Sequence, residues 1–416
     1  TTAVEALRLG HNCICIDINP LTEFITRVKT QKINYTINQL KERKLTQFTD
    51  NESSKENDTS LKPIYLDKLL KKMENYSGER FYPHWGNIDH WYPPEFKEFL
   101  AKLWGFIYSL KENYSTDFID LIKLTGLYMA RYLSYGARDV PKLFRSKSRI
   151  KQVEELRKTV KDRPSLPIEV FKRKLIDNFK QILEYQKELQ KKNIIPCYER
   201  NLTEEALMVD NVNSRKIICL SGTDMVSYNF IIKEEFIDLI VTSPPYIYAQ
   251  EYMRSTKLDM YWLNLVDDSQ VRQFTKKELG YKKISPKKQV KEELYKLPTF
   301  DEIFDLLIKE EKRRYGKNGK YTPQVINFFS DMFKIFEKLS KKLKKSGIFA
   351  FFVGNPTVMG HQVLCSEIFY EMFELLGYNI LEYGYDEIMS RQLLRKRQND
   401  SPEGMGCEWL IIAQKQ

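Results

Sequence analysis

The segment Ser243-Pro244-Pro245-Tyr246 combines residue types that could do chemistry at the edge of a sheet. It follows the apolar run 236–241, which predicts a buried strand, so the loop would lie at the carboxyl edge where open α/β sheets bind ligands. Each proline lacks a backbone N–H, so the loop offers carbonyl oxygens that only accept hydrogen bonds. Acceptors beside one aromatic ring suit a planar ring that carries an amino group.

An acidic position, Asp17, closes a pattern that is typical of nucleotide binding. Residues 3–9 favour a helix, Gly10 is a helix stop, and residues 13–16 predict a short apolar strand. An acid at the end of such a strand can accept hydrogen bonds from ribose hydroxyls. The alternative is that Asp17 caps the helix predicted after Pro20.

The loop 243–246 resembles the Ser-Pro-Pro-Tyr motif of DNA amino-methyltransferases, the restriction-modification enzymes that methylate cytosine N4 or adenine N6. Residues 1–30 resemble the part of those enzymes that follows a glycine-rich cofactor loop, and residues 217–415 resemble their catalytic half. The resemblance implies S-adenosyl-L-methionine as cofactor, double-stranded DNA as substrate, and a doubly wound, Rossmann-like class I methyltransferase sheet. It also implies catalytic roles for Ser243, Pro244, Pro245 and Tyr246, and cofactor-binding roles for Thr1, Thr2, Asp17, Ile18 and Asp224.

The implied reaction explains why the loop would need acceptors. The lone pair of an exocyclic amino nitrogen is delocalised into its ring, and accepting the N–H hydrogens localises that pair for attack on a methyl group. Ser243 and the Pro244 carbonyl would be the acceptors, and Tyr246 would stack on the flipped base. By the resemblance, serine at the first motif position favours cytosine N4. Adenine N6 is the alternative, and an RNA or protein amide substrate is a further one.

One part of the family pattern is not in this sequence. In the family an Asp-Pro-Phe-x-Gly-x-Gly stretch precedes the threonine pair, whereas this sequence begins with Thr1 and Thr2. We therefore weigh a second hypothesis, a catalytically incomplete DNA-binding fragment or subunit that relies on a missing N-terminal segment. A cognate restriction endonuclease is the other partner that the resemblance implies.

Basic residues mark three candidate DNA contacts. Arg254 and Lys257 follow the loop among aromatic residues, where they would hold the DNA backbone beside a flipped base. The two other groups lie in the middle of the chain and near its C-terminus. They are Lys142, Arg145, Lys147, Arg149 and Lys151, and then Arg391, Arg395, Lys396 and Arg397. For each group the alternative is a solvated basic face.

The elements that must position these residues alternate between strands and helices on either side of a long helical stretch. Residues 1–35 form the first part of the predicted methyltransferase domain, 36–212 a mostly helical target-recognition insert, and 213–416 the second part, with a charged, flexible insertion at about 266–318. Strands are predicted at 13–16, 216–220, 236–241, 348–353, 379–383 and 408–413, and helices at 3–9, 168–192, 321–345 and 361–376, with one helix or two at 21–44. This alternation predicts an α/β fold whose doubly wound sheet is mostly parallel, with an antiparallel strand near the end.

Composition limits the class of protein. The 416 residues suffice for two or three domains, and 42% hydrophobic with 30% charged residues is typical of a soluble globular protein. A net charge of +11 suits a polyanionic partner. The cysteines and histidines are scattered, which predicts no metal site and a reduced, cytoplasmic protein, and no apolar run is long enough for a membrane span. Cys197 follows a proline, as the nucleophile of cytosine-C5 methyltransferases does, but its position outside a strand-loop context predicts a structural role.

Overall fold

The computed structural model describes residues 1–33, 35–38, 62–138, 143–207, 212–247, 252–280, 292–316, 321–389 and 406–416. Helices and strands are mixed within them, so the prediction of an α/β fold is confirmed at that level. The chain divides into two compact units. The first consists of Thr1–Arg138, Leu143–Ser221 and Thr256–Val271, and the second mainly of Gly222–Ser255 and Arg272–Gln416. In this division residues 1–35 belong to the same unit as most of the helical insert.

The longest described helices lie in the insert and in the second unit. The α-helices are α1 (Thr2–Arg8), α2 (Leu21–Thr30), α3 (Leu66–Glu74), α4 (Pro94–Ser109), α5 (Thr116–Tyr132), α6 (Lys147–Asp162), α7 (Leu166–Lys191), α8 (Glu204–Leu207), α9 (Tyr252–Trp262), α10 (Asp268–Lys277), α11 (Pro298–Tyr315), α12 (Tyr321–Lys342) and α13 (Cys365–Leu375). Local sequence explains several starts. Pro94, Pro167 and Pro298 lie in the first turns of α4, α7 and α11, where a missing N–H leaves no hydrogen bond unmade.

The strands form separate hydrogen-bonded sheets. They are β1 (Cys13–Asp17), β2 (Tyr35–Asn38), β3 (Lys62–Tyr65), β4 (Ile195–Glu199), β5 (Ser214–Ser221), β6 (Ile237–Thr242), β7 (Leu343–Val353), β8 (Thr357–Val358), β9 (His361–Gln362), β10 (Tyr378–Glu387) and β11 (Cys407–Lys415). The two larger sheets have the orders β1-β5-β4 and β10-β11-β7-β6. The single doubly wound, Rossmann-like sheet stays a prediction, because the observed pairings divide these strands between two sheets.

The sheet of the first unit is parallel throughout. Strand β5 lies between β1 and β4, with Asp17 opposite Ser221 at the end of β1. The predicted strand ending in Asp17 is confirmed. Of the one or two helices predicted at 21–44, the first ends at Thr30, and β2, β3 and β4 are strands that the sequence interpretation missed. Cys197 therefore lies within a parallel strand, contrary to the prediction that it lies outside any strand context.

The sheet of the second unit pairs β6 with β7 in parallel and places β11 antiparallel to both β7 and β10. The predicted antiparallel strand near the end of the chain is confirmed. One face of β7 is buried: Phe349 and Phe351 form aromatic contacts with Phe336 of α12 and Phe373 of α13. On the other face, Leu239 is 52% exposed, Val241 44% and Phe352 38%. The helices of this unit thus cover one face of its sheet.

The charged segment 266–318 was predicted as a flexible insertion, and this is wrong for its described part. Residues 268–277 form α10 and residues 298–315 form α11. Phe300, Ile303 and Leu307 of α11 are buried in the hydrophobic core of the second unit. Their spacing of three and four residues puts them on one helical face, which a reading based on charge overlooked.

Among the described residues, no helix combines the length and the apolar character that crossing a bilayer requires.

Candidate active site

The loop 243–246 lies at a sheet edge that three strands share. Strands β6 and β7 are parallel and paired up to Thr242 and Phe351, so both end at this edge. Strand β11 runs in the opposite direction, with Trp409 opposite Val353, so it begins there. The first residues of β11 therefore lie at the same edge as the ends of β6 and β7.

This arrangement brings Tyr246 to Glu408. The half-buried Tyr246 hydroxyl donates a hydrogen bond to Oε1 of Glu408, and the Ser243 side chain is also within hydrogen-bonding reach of Tyr246. Burial first, and the Glu408 carboxylate second, raise the pKa of Tyr246 well above its usual value. The phenol therefore stays protonated, and the hydrogen bond from its hydroxyl to Glu408 restricts the orientation of the ring.

The rest of the loop divides between core and solvent. Pro244 is buried and Pro245 half-buried, whereas Ser243 is exposed. Such a loop keeps a fixed backbone, because proline restricts φ, while the serine hydroxyl remains accessible. The four predicted catalytic residues thus lie in one loop, with one accessible oxygen and one anchored ring.

The start of α9 is tied to the same loop. The backbone N–H of Tyr246 donates a hydrogen bond to the Tyr252 hydroxyl, and Glu278 Oε1 accepts from the backbone N–H of Met253 at 2.5 Å. Glu278 is 8% exposed, so its carboxylate is buried at the helix N-terminus, where a negative charge is favourable. Burial is the main reason why the pKa of Tyr252 is raised.

Helix α9 carries the two predicted DNA contacts that follow the loop. Arg254 is exposed. Lys257 Nζ lies 5.4 Å from the ring centroid of Trp85 and 5.7 Å from that of Tyr261, a cation–π arrangement. Leu258, Tyr261 and Trp262 of the same helix are buried. Lys257 therefore has an internal partner that the sequence did not reveal.

Asp17 lies at the end of β1 with its carboxylate engaged locally. Its Oδ1 accepts from the backbone N–H of Asn19 at 2.7 Å, and Thr22 also hydrogen-bonds to it. Burial raises the pKa of Asp17, and these hydrogen bonds oppose the shift. Asn19 Oδ1 in turn accepts from the N–H of Leu21 at 3.0 Å, at the start of α2. The N-cap position of α2 is occupied by Pro20 and not by Asp17, although Thr22 in the first turn hydrogen-bonds to Asp17.

Asp224, in the second unit, shapes its own turn. Its Oδ1 accepts from the N–H of Val226 at 3.0 Å, and its Oδ2 accepts from the Ser227 hydroxyl at 2.9 Å. It follows Gly222, whose φ of +65° is in the left-handed region that glycine tolerates. The half-buried carboxylate is available on its remaining lone pairs.

The other predicted cofactor residues lie at the start of the first unit. Thr1 and Thr2 are exposed, and Ile18 is half-buried just after β1. A cavity of about 260 Å³ in this unit touches one of the five predicted cofactor residues, Thr1. It is lined by Thr1, Val4, Lys29, Leu124, Asn178, Gln181, Ile182 and Tyr185.

The predicted DNA-binding residues of the insert have different environments. Arg149 is 8% exposed, and its guanidinium donates to the carbonyls of Tyr132 and Ser134, at 2.5 and 3.1 Å. Arg145 lies over the Tyr135 ring at 4.5 Å and also donates to a backbone carbonyl. Lys147 and Lys151 are exposed at the start of α6, and Lys151 lies 4.0 Å from Glu155. Lys142, Arg391, Arg395, Lys396 and Arg397 lie outside the described residues.

Comparison with known proteins adds one finding. The chain is similar to a type II methyltransferase. The relative is type II methyltransferase M.BsoBI of Geobacillus stearothermophilus, 22% identical over 435 residues, and the similarity covers 98% of this chain and 75% of that protein. No family model matches the chain, and no solved structure matches it.

Sequence reasoning missed two residues that hydrogen-bond to the loop, Tyr252 and Glu408, and Glu278, which binds the start of α9. Glu408 is 162 residues from Tyr246, so no local pattern connects them. Two signals were available. Glu408 opens the predicted last strand, and an antiparallel last strand must begin at the edge where the parallel strands end.

Proposed function

We propose that this chain is an S-adenosyl-L-methionine-dependent DNA amino-methyltransferase that acts on cytosine N4 in duplex DNA. The similarity to a type II methyltransferase over 98% of the chain supports methyl transfer. The observation that carries the choice of an amino group is the loop 243–246, with its accessible Ser243 and its anchored Tyr246 at a sheet edge. Cytosine N4 rather than adenine N6 rests on the serine at the first motif position.

In this proposal the loop does three things. The Ser243 hydroxyl and the Pro244 carbonyl accept the two N–H hydrogens of the target amine, which directs its lone pair at the methyl donor and stabilises the positive charge that develops on nitrogen. The ring of Tyr246 stacks on the flipped base and offsets part of the unstacking free energy, a few kcal/mol. The Tyr246–Glu408 hydrogen bond fixes the ring before the base arrives, so less ordering remains for the binding step.

The cofactor would be held by acids at strand ends. Asp17, half-buried at the end of β1, would accept from the ribose hydroxyls, and Asp224 would accept from the adenine amino group. Local hydrogen bonds already orient both carboxylates, so neither would have to be ordered when the cofactor binds. The bound cofactor supplies an electrophilic methyl group on sulfur, and this chain supplies position and hydrogen-bond acceptors.

The test is methylation of duplex DNA with labelled S-adenosyl-L-methionine, followed by digestion to nucleosides and mass spectrometry. N4-methylcytosine is expected, and Ser243→Ala and Tyr246→Ala are expected to abolish it without loss of fold by circular dichroism. Tyr295→Ala, which removes a 45% exposed tyrosine in the second unit outside the loop, is the matched control and should retain activity. Normal turnover of both loop variants would contradict the proposal. N6-methyladenine as the product would show that the target base is adenine and not cytosine.

A calorimetric titration distinguishes a methyltransferase from a protein that only binds DNA. Calorimetry with S-adenosylhomocysteine should show binding by the parent chain and weaker binding by Asp17→Asn and Asp224→Asn. A parent chain that binds DNA but neither binds this compound nor transfers a methyl group would favour the second hypothesis, a DNA-binding protein without catalysis.

A further inference from the structure

Two tyrosines and two cations form a surface group in the first unit, which we call the Tyr128 patch: Tyr128, Tyr132, Arg138 and Lys174. Tyr128 and Tyr132 are four residues apart on α5, so they share one helical face. Their rings are nearly parallel, with centroids 6.0 Å apart and an interplanar angle of 10°. Both side chains are half-buried, so the ring pair is partly accessible.

Both cations lie over these rings. The guanidinium carbon of Arg138 is 5.5 Å from the ring centroid of Tyr128 and 5.6 Å from that of Tyr132, and Lys174 Nζ is 5.3 Å from Tyr128. Within the described part of the chain, neither cation forms an ion pair with a carboxylate. The rings therefore hold the two positive charges in place without neutralising them.

The backbone around the patch is fixed. Gly136 and Arg145 form a β-bridge, and the N–H of Ala137 donates to the carbonyl of Phe144 at 2.8 Å. Arg149 binds the carbonyl of Tyr132 from inside. Arg138, next to Ala137, is thus presented as an exposed arginine on a braced turn. Of the two arginines, Arg149 donates to backbone carbonyls, whereas Arg138 forms no hydrogen bond with the residues that the structure describes.

The surrounding sequence is also basic. Residues 143–192 contain 15 lysines and arginines against 7 aspartates and glutamates, a net charge of +8 in a chain whose total is +11. Arg138 lies just before this segment and Lys174 within it. A positive region of this size attracts a long polyanion more effectively than it attracts a single acidic group.

We propose that the Tyr128 patch binds the sugar-phosphate backbone of duplex DNA, with Arg138 and Lys174 each contacting a phosphate. A guanidinium stacked on aromatic rings keeps its N–H donors free for phosphate oxygens, and its orientation is already restricted. The patch deepens the proposed function, on which it rests, by naming a contact to the DNA substrate away from the target base.

The test is fluorescence anisotropy of the full chain with a labelled duplex at several salt concentrations. Arg138→Gln/Lys174→Gln should raise Kd about tenfold or more and reduce the slope of log K against log salt by about two. The control, Lys158→Gln/Lys161→Gln, removes the same charge from two exposed residues of α6. It should change Kd less than about threefold, since only general attraction is lost. Equal losses in both double variants, or none in the patch variant, would overturn the proposal.

The rings are tested separately from the charges. Tyr128→Leu/Tyr132→Leu keeps both cations but removes the stacking surface, so affinity for the duplex should still fall, with unchanged helicity by circular dichroism. Poly-glutamate serves as the competing acidic partner. If the Arg138→Gln/Lys174→Gln variant loses affinity for poly-glutamate but not for DNA, the partner is an acidic protein segment and the proposal fails.

Binding is measured without cofactor, so the two proposals can fail independently. If the chain binds duplex DNA through the Tyr128 patch but methylates no substrate, the proposed function is wrong and the proposed role of the patch stands. If the chain methylates DNA and its patch variants bind DNA as tightly as the parent does, only the proposed role of the patch is wrong.

Discussion

The phenol of Tyr246 donates a hydrogen bond to the carboxylate of Glu408, 162 residues further along the chain. The contact exists because β11 runs antiparallel to β7 and therefore begins at the edge where β6 and β7 end. Glu408 is a positioning residue in the proposed enzyme, since it acts on the substrate through the ring of Tyr246.

Glu408→Leu should therefore lower kcat for methyl transfer by about 10- to 100-fold, because a misplaced stacking group disturbs the attack geometry. Glu408→Gln keeps an acceptor oxygen and should recover most of the rate. Single-turnover methylation, with S-adenosylhomocysteine affinity as a second readout, separates positioning from cofactor binding. Equal activity of the leucine variant and the parent would show that the hydrogen bond does not matter.

The ion pair between Arg131, whose side chain is 40% exposed, and the buried Asp259 should be important for the stability of the first unit. Asp259 is 5% exposed, and the guanidinium of Arg131 donates to both of its oxygens, with Nε at 2.9 and 3.0 Å. Arg131→Met leaves a buried carboxylate without its partner and should cost about 3–5 kcal/mol in the free energy of unfolding. The double variant Arg131→Met/Asp259→Leu should be more stable than the single one in urea unfolding. A double variant as unstable as the single one would argue against an electrostatic cause.

Lys123 predicts a pH dependence of stability. Burial first, and then the charges of Lys111, Arg27 and Arg200, lower the pKa of Lys123 to about 8. The unfolded lysine titrates near 10.4, so between pH 8 and about 10 the unfolded state holds a proton that the folded state has released. The contribution of Lys123 to the free energy of unfolding is therefore lowest below pH 8 and increases with pH through that window. The gain is of the order of 1 kcal/mol after allowance for solvent screening.

The measurement for Lys123 is the free energy of unfolding in urea at pH 7.5 and 9.5 for the parent and for Lys123→Met. The variant should be more stable relative to the parent at pH 7.5 than at pH 9.5. An identical pH dependence in the two proteins would show that Lys123 titrates normally in the folded state.

Two neighbours on β7 test which face of the second sheet is the core. Phe351 is fully buried and Phe352 is 38% exposed on the opposite face. Phe351→Ala should cost about 3–5 kcal/mol, since it opens a cavity among aromatic rings, whereas Phe352→Ala should cost about 1 kcal/mol or less. Thermal unfolding of the two variants makes the comparison within one strand. Similar losses would mean that both faces of β7 are covered in solution.

The sequence by itself determined the local elements and the loop. The apolar run before Ser243, the glycine after α1 and the spacing of apolar residues in α7 and α12 placed strands and helices close to where they lie, because periodicity and capping are local properties. Strands β2, β3 and β4 were missed because their pairing is decided by neighbours distant in the chain. The helices of 266–318 were missed because the prediction followed the high charge of the segment and not the spacing of the apolar residues on one helical face.

Only the tertiary structure decided which charged residues are functional candidates. The sequence pattern pointed to Arg149 and not to Arg138 as a DNA contact, yet Arg149 donates to backbone carbonyls while Arg138 lies exposed over two rings. Glu408 looked like any strand residue until strand order brought it to Tyr246. Residue type sets what a side chain can do, but burial and the partners that the fold supplies decide whether that capacity remains available.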